Sequence, residues 1–306
     1  MSVVREALER GAPRRAGSGW AAADPTCAIA QAALVVGDRW SLVVLREVAR
    51  GHQRFDALVD ELHISRKVLA ERLAQLVEHG VLEKVAYQEA PTRYDYRLTA
   101  AGRAFLPVLV ALQDWGDQWV LGDGRLAATS YDGAAEVCRV HGLVGQRVPD
   151  GLGLPSTAGG TVDVVSAGSR GTVLFGYPAT GTPTPLPRGW SDIPGAIGCT
   201  LENRLFRDAY PEFAAAGVAV HGLSTQRPDE QQEFAHAEGV PFPLLSDADL
   251  HVAAALRLPT FRAGGAVRLR RVVLLVGADR VVREVRYPVT DVADTVRWSL
   301  DRFTAS

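Results

Sequence analysis

A chain of 306 residues with net charge near −2 has room for two ordinary domains and no global field to draw it onto nucleic acid or membrane. Hydrophobic (47%) and charged (22%) fractions are those of a globular protein, which excludes a disordered or fibrous chain. Met1–Trp20 lacks the apolar run of a secretory signal, and no stretch approaches the roughly 18 apolar residues of a membrane span. Cys27, Cys138 and Cys199 are too scattered for a disulfide framework or a CxxC zinc site, so no metal or cofactor is expected. The expected compartment is the cytoplasm, where redox chemistry is the informative reading of such thiols.

Residues 1–24, rich in Gly, Ala and Arg, read as a flexible tail. Asp24-Pro25-Thr26 opens a helix on which Cys27, Ile29, Ala30, Ala33 and Leu34 recur at helical spacing, and Gly37 ends it. Trp40–Val48 is a second helix. Phe55, Leu58, Val59 and Leu62 form the inner face of a short third, and His63-Ile64 turns the chain. Ser65 caps the next helix, whose stripe Val68, Leu69, Leu73, Leu76 and Val77 leaves Arg66, Lys67, Glu71, Arg72 and Gln75 outward. Polar and basic first turns on the second helix of such a pair are what reaches base edges in a DNA major groove. After His79-Gly80, Val81–Tyr87 and Tyr94–Leu98 read as a hairpin turning over Glu89–Arg93, a wing with Arg93 near its tip. Acidic residues in 54–98 roughly balance the basic ones, which keeps open a winged fold used only for protein contacts. Gly102–Leu121 is a long apolar-striped helix (Phe105, Leu106, Leu109, Leu112, Trp115, Trp119) that calls for a second subunit.

The segment 123–142 loses this periodicity and reads as a linker, with a weak helix Gly133–Val140 carrying Cys138. Cys138 and His141 at i, i+3 lack the further ligands that a metal needs. Beyond it, Gly145–Pro155 and Gly160–Val165 read as edge segments, Thr172–Tyr177 as a buried strand and Gly217–Ser224 as another. Helices at Asp229–Glu238, Asp249–Leu256 and Val292–Phe303 alternate with Phe242–Leu245 and the strand pair Arg271–Gly277 and Val281–Tyr287, an α/β pattern. Gly198-Cys199-Thr200 opens a helix. A thiol there faces the positive end of the helix dipole, which lowers its pKa from about 8.5 toward about 3.5–7.5 and populates the nucleophilic thiolate.

Cys27-Ala-Ile-Ala, Gly37-Asp-Arg-Trp40-Ser-Leu, Ile64-Ser65-x-Lys67-Val68-Leu69, Gly80-Val81-Leu82 and Tyr94-x-Tyr96-x-Leu98-Thr99 resemble the HxlR-type winged-helix regulators over about 25–122. The resemblance implies a homodimer on a double-stranded operator, with Ser65, Arg66, Lys67, Arg72 and Arg93 at the DNA and the Cys27 position used for redox sensing in some members. Val173-Leu-Phe-Gly-Tyr177-Pro178, Ile193–Gly198-Cys199-Thr200-x-Glu202, Phe206-Arg207-Asp208 and Phe242–Asp247 resemble the peroxiredoxin (AhpC/TSA, redoxin) superfamily over about 143–306. That resemblance implies a thioredoxin-like fold, Cys199 as the oxidant-reactive cysteine and Arg271 as the arginine that steadies its thiolate.

Two departures stand out. Pro178 and Thr180 are separated from Cys199 by the insert Gly181–Gly198, with Ala196 in the usual Thr/Ser position; Thr180 or Thr182 is the candidate to fold back. Arg204 stands where a resolving cysteine often lies, which leaves Cys27, Cys138, another subunit or a small thiol to resolve oxidised Cys199. Phe175, Phe206 and Trp190 line a pocket or fill the core.

The expected fold is thus α/β and two-domain, an N-terminal winged helix-turn-helix (α+β) and a C-terminal thioredoxin-like peroxiredoxin fold. The expected function is redox-responsive transcription regulation through Cys199. The alternatives are a one-cysteine-type thiol peroxidase with a DNA-tethering module, reduced by thioredoxin or a low-molecular-weight thiol, and a ligand-sensing regulator with a non-catalytic thiol domain. In the plainest reading Cys27 is a small buried hydrophobe, Cys138 an inert linker thiol and Cys199 a structural one.

Overall fold

The computed structural model describes residues 25–130, 134–181 and 185–304 and divides into two units, Met1–Leu109 and Val110–Ser306. The expected flexible tail, with Asp24, lies outside the described residues, as do Gly133 and Thr182. Among the described residues no single helix is long and apolar enough to cross a membrane.

In the first unit, helices α1 (Ala28–Val36), α2 (Arg39–Ala49), α3 (Phe55–Leu62) and α4 (Arg66–Glu78) precede the antiparallel hairpin β1 (Leu82–Glu89) and β2 (Thr92–Leu98). Side-chain caps set the helix starts: Asp38 accepts from the Trp40 and Ser41 N–H groups at 3.0 and 3.1 Å, and Ser65 from that of Val68 at 3.3 Å. Between α3 and α4 the chain reverses through His63 in the left-handed region (φ 50°). Leu45, Leu58, Leu69, Leu73, Leu76 and Leu82 then close one core.

Three expectations change here. Cys27 is not on the helix but caps α1, accepting from the Ala30 N–H at 3.5 Å, and α1 buries Ala30 and Val36 while Ile29 is 81% exposed. The wing turn tightens to Ala90-Pro91, which places Arg93 in β2 opposite Gln88. The long helix 102–121 becomes α5 (Ala100–Ala104), α6 (Leu106–Trp115) and a π-helical turn Gly116–Val120. Pro107 has no N–H to continue a preceding helix but fits the first turn of a new one, so the break falls at Phe105.

In the second unit α7 (Ala135–His141) is followed by the small hairpin β3 (Gly153–Pro155) and β4 (Thr161–Asp163). A five-stranded sheet runs in the order β11-β10-β5-β6-β7, with β5 (Gly171–Gly176), β6 (Val218–Ser224) and β7 (Leu244–Ser246) parallel. β10 (Val272–Gly277) and β11 (Val282–Arg286) are antiparallel additions. Helices α8 (Cys199–Ala215), α9 (Pro228–Glu238), α10 (His251–Ala255) and α11 (Val292–Thr304) complete it. Every residue of β5 and β10 is buried, which explains why both strands read as continuous apolar runs.

The hairpin β8 (Thr260–Ala263) and β9 (Ala266–Leu269) was not expected, although Gly264-Gly265 between them supplies the two positive φ angles (59° and 78°) of a tight hairpin turn. Phe206 on α8 stacks on Phe175 of β5 at 4.2 Å between ring centroids, and both are fully buried. These two aromatics fasten α8 to the sheet. Phe206→Ala is expected to lower stability of this unit by about 3–5 kcal/mol, read from its denaturant midpoint.

Glu47 on α2 is fully buried between Arg46, Arg50 and His52, and Arg50 reaches on to Glu61 at 3.0 Å. Glu47, His52 and Glu61 approach one another within 4.8 Å, but the arginines already satisfy these carboxylates. Burial by itself raises the Glu47 carboxyl; His52, Arg46 and Arg50 outweigh it and hold it at about 2 against an ordinary 4.5. A carboxyl depressed by folding stabilises above its unfolded value and loses that contribution as pH falls through the folded one. Acid melts of the first unit are therefore expected to lose stability between about pH 4.5 and 2. Glu47→Gln should flatten that limb and cost about 3–5 kcal/mol at neutral pH, because the arginines lose their counter-charge.

Candidate functional site

The carboxyl ends of parallel strands β5 and β6 open toward one end of the sheet, where α/β folds place their ligands. After β5 the chain runs through Tyr177-Pro178-Ala179-Thr180, and Val272, paired with Gly176, puts Arg271 beside the same opening. Gly198 adopts the left-handed conformation (φ 108°) that lets the long loop turn directly into α8, so Cys199 is the first helical residue.

Cys199 is 3% exposed. Arg271 Nη2 donates to its Sγ at 3.1 Å, and Sγ lies 3.6 Å from the Ala196 carbonyl oxygen. The other arms of the same guanidinium donate to Glu202 Oε2 (3.0 Å) and to the Gly195 carbonyl. Glu202, one helical turn after the cysteine, is fully buried, and Asn203 Nδ2 donates to the Cys199 carbonyl at 2.9 Å.

Burial pushes the Cys199 thiol above its ordinary value; Arg271 pulls it down, Glu202 pushes it up, and the Ala179 N–H pulls it down. This reverses the expected lowering. The helix start is as anticipated, but the insert encloses the sulfur, and desolvation of a thiolate outweighs its partners. Burial also raises Glu202, to about 7, against the pull of Arg271.

The structure thus brings Cys199 and Arg271 together, and adds Glu202, which the i, i+3 spacing from Cys199 would have pointed to. Thr180 bonds Gln226: its N–H and hydroxyl donate to Gln226 Oε1 at 2.9 and 3.2 Å, and its carbonyl accepts from Gln226 Nε2. The Ala179 N–H and the Ala196 carbonyl face the sulfur. Arg204, at the position of a resolving cysteine, pairs on the surface with Glu238 at 2.7 and 2.8 Å. Phe175 and Phe206 are core; Trp190 lines a cleft of about 700 Å³ that opens beside Cys199 between Leu186, Pro187, Ile197 and Leu201. All three cysteines are free: Cys27 half-buried, Cys138 exposed on α7, Cys199 buried.

In the first unit Ser65 caps α4, and Lys67 and Arg93 are exposed. Arg66 is exposed, bonded to Asp56 at 2.8 Å and lying over the Phe55 ring. Arg72 is half-buried: it reaches Asp38 at 3.4 Å and Gln75 Oε1 at 2.8 Å, joining α4 to the start of α2.

The Redoxin family model matches residues 143–296, and the HxlR-like helix-turn-helix model matches residues 35–123. This chain belongs to the redoxin family, joined to an HxlR-like helix-turn-helix domain. The helix-turn-helix half is 42% identical over 92 residues to an HTH-type transcriptional regulator of Mycobacterium tuberculosis, covering 30% of this chain and 58% of that protein. The chain thus spans under two thirds of that relative's length. It is 33% identical over 86 residues to the HTH-type transcriptional regulator YodB of Bacillus subtilis, covering 28% of this chain and 77% of YodB. Peroxidoxin BcpB from M. tuberculosis is 28% identical over 53% of this chain and 96% of its own, with a TM-score of 0.43.

Within the redoxin half burial raises the thiol, the Arg271 guanidinium opposes that rise and the Glu202 charge adds to it. Arg271→Gln should move the Cys199 pKa up and slow its alkylation by iodoacetamide at pH 7 by about tenfold, one unit of pKa. Glu202→Gln removes the opposing charge, so the same pH–rate profile should move down; a profile unchanged in both variants would disprove the assigned electrostatics.

Proposed function

We propose that the chain is an oxidant-responsive, DNA-binding transcription regulator in which Cys199 takes the oxidant and the winged helix reads the operator. The observation that carries this reading is the Arg271 guanidinium 3.1 Å from a cysteine at a helix start, in a chain that also bears a helix-turn-helix. The Cys199 thiolate attacks the terminal oxygen of a hydroperoxide: an S–O bond forms, the O–O bond breaks, and an alcohol or water leaves with one proton. The sulfur is oxidised by two electrons to a sulfenic acid, and the peroxide is reduced by the same two. Arg271 stabilises the attacking thiolate. A small thiol, thioredoxin, Cys138 or Cys27 then condenses with the sulfenic acid, releasing water, because Arg204 offers no sulfur.

On the DNA side Ser65, Arg66 and Lys67 open the recognition helix and Arg93 supports it from the wing, whereas Arg72 holds α4 in place. Exposed apolar side chains on Leu112 (47%), Trp115 (56%) and Trp119 (59%) favour a homodimer, which sets two half-sites about 34–36 Å apart. The working division is a tail at 1–24, a winged-helix domain at 25–122, a linker at 123–142 and a redoxin domain at 143–306, in a protein of the cytoplasm. The 700 Å³ cleft beside Cys199 favours a second reading, a thiol peroxidase whose DNA module is a tether.

A titration of the upstream DNA of the protein's own gene separates the two. With one equivalent of hydrogen peroxide, wild-type affinity is expected to change about tenfold, a coupling of ordinary size, and Cys199→Ser to be unresponsive. Equal affinity in both states together with steady peroxide turnover by added thioredoxin would replace the regulator with the peroxidase. Lys67→Ala should weaken binding on all sequences and reduce the salt slope by about 1.

A further inference from the structure

The loop Pro194–Ala196 that carries the thiol site is also gripped by chain that precedes the redoxin match. The Ala128 N–H donates to the Pro194 carbonyl at 2.8 Å. Ala128 is 1% exposed and packs into one apolar cluster with Ala179, Trp190, Ala196 and Phe261. The Thr129 carbonyl accepts from Arg270 Nη1 at 2.9 Å, and its side chain lies so close to Gly195 that a Cβ there would sit 2.8 Å from Thr129 Cβ. Arg270 in turn pairs with Glu136 at 3.4 Å, which accepts the Tyr287 hydroxyl.

The same three loop residues serve the sulfur. The Gly195 carbonyl accepts from Arg271, and the Ala196 carbonyl accepts from the Trp190 indole at 3.1 Å and faces Cys199 Sγ at 3.6 Å. Adjacent arginines therefore divide the work: Arg271 holds the thiol side and Arg270 the segment that covers the loop.

We propose that Leu126–Ser130 is a strap whose seating on Pro194–Ala196 is coupled to the chemical state of Cys199. This rests on the reading of Cys199 as the oxidant-reactive thiol and names how its state leaves the redoxin domain. Reaction with a hydroperoxide, S–H plus ROOH giving S–OH plus ROH, adds one oxygen to a sulfur already enclosed by Arg271, Ala179 and Ala196. The S–H that faces the Ala196 carbonyl at 3.6 Å becomes an S–OH, so that contact must rearrange even with the cleft beside the sulfur. Among these neighbours Ala196 belongs to the loop on which the segment Leu126–Ser130 rests, and Gly195 and Pro194 move with it. The strap then loses the surface and the carbonyl that it rests on. Through the five residues 121–125 it is joined to the π-helical turn and α6, so its release acts on the segment that leads to the winged helix. Coupling is reciprocal: lifting the strap must loosen the loop and open Cys199.

Hydrogen exchange on the full-length protein tests this, with a dimedone adduct on Cys199 measured in the same samples. With one equivalent of hydrogen peroxide the Ala128 amide is expected to exchange about tenfold faster in wild type and to stay protected in Cys199→Ser. If Cys199 forms the dimedone adduct while Ala128 stays protected, the strap is overturned and the sensor reading stands. If no adduct forms, the sensor reading fails and the coupling falls with it. In the converse arm no oxidant is used. Ala128→Arg, or the milder Thr129→Gly should the first not fold, is expected to speed iodoacetamide alkylation of Cys199 about fivefold or more with the circular dichroism unchanged. An unchanged alkylation rate in a folded variant would sink the proposal.

Discussion

A single buried guanidinium organises the redoxin half. Arg271 spends its planar fork on a sulfur, a carboxylate and a backbone carbonyl that all lie within residues 195–202, some seventy positions before the arginine itself. Such a fork accepts partners only in fixed directions, so it specifies geometry as well as charge. For Cys199 and Glu202 to face it together, α8 must begin at the cysteine and run past the end of β10. For the Gly195 carbonyl to face it, the insert must fold back over the helix start. An unpaired arginine at this depth is costly, so these conditions hold together or fail together.

The same enclosure explains the state of the thiol. A helix start and an arginine favour the thiolate, whereas burial and the Glu202 charge oppose it, and in this arrangement burial prevails. The sulfur thus sits enclosed at the start of α8, beside the loop 185–198. That loop is anchored at Trp190 from within and at Ala128–Thr129 from the preceding segment.

In the first unit charge does two separate jobs. Glu47 with Arg46, Arg50 and His52 is buried and sets the packing of α2. Arg72 joins it in a structural role by bridging to the Asp38 cap. Arg66, by contrast, makes an exposed ion pair with Asp56. Pairs of that kind contribute about 0–1 kcal/mol. Basic residues of one helix thus divide into those that fasten it to its neighbours and those left on its surface.

Elements with a strong local signal were legible in the sequence: the capped helix pair, the hairpin wing, the apolar runs of β5 and β10, and the glycine-opened helix at Cys199. Each is written in periodicity, caps and turn residues, which depend on neighbours a few positions away. The unread hairpin β8–β9 had such a signal too, in Gly264-Gly265. What tertiary structure alone decided is of another kind. Turning Arg72 toward Asp38, pairing Thr180 with Gln226, seating Ala128 on Pro194 and raising rather than lowering the Cys199 pKa all depend on residues far away in the chain, whereas the helix break at Phe105 was already written in Pro107. A thiol's ionisation is a balance of desolvation against every nearby charge. The sequence supplies the cysteine, the arginine and the helix that receives them; only the packed fold determines how much water remains around the sulfur.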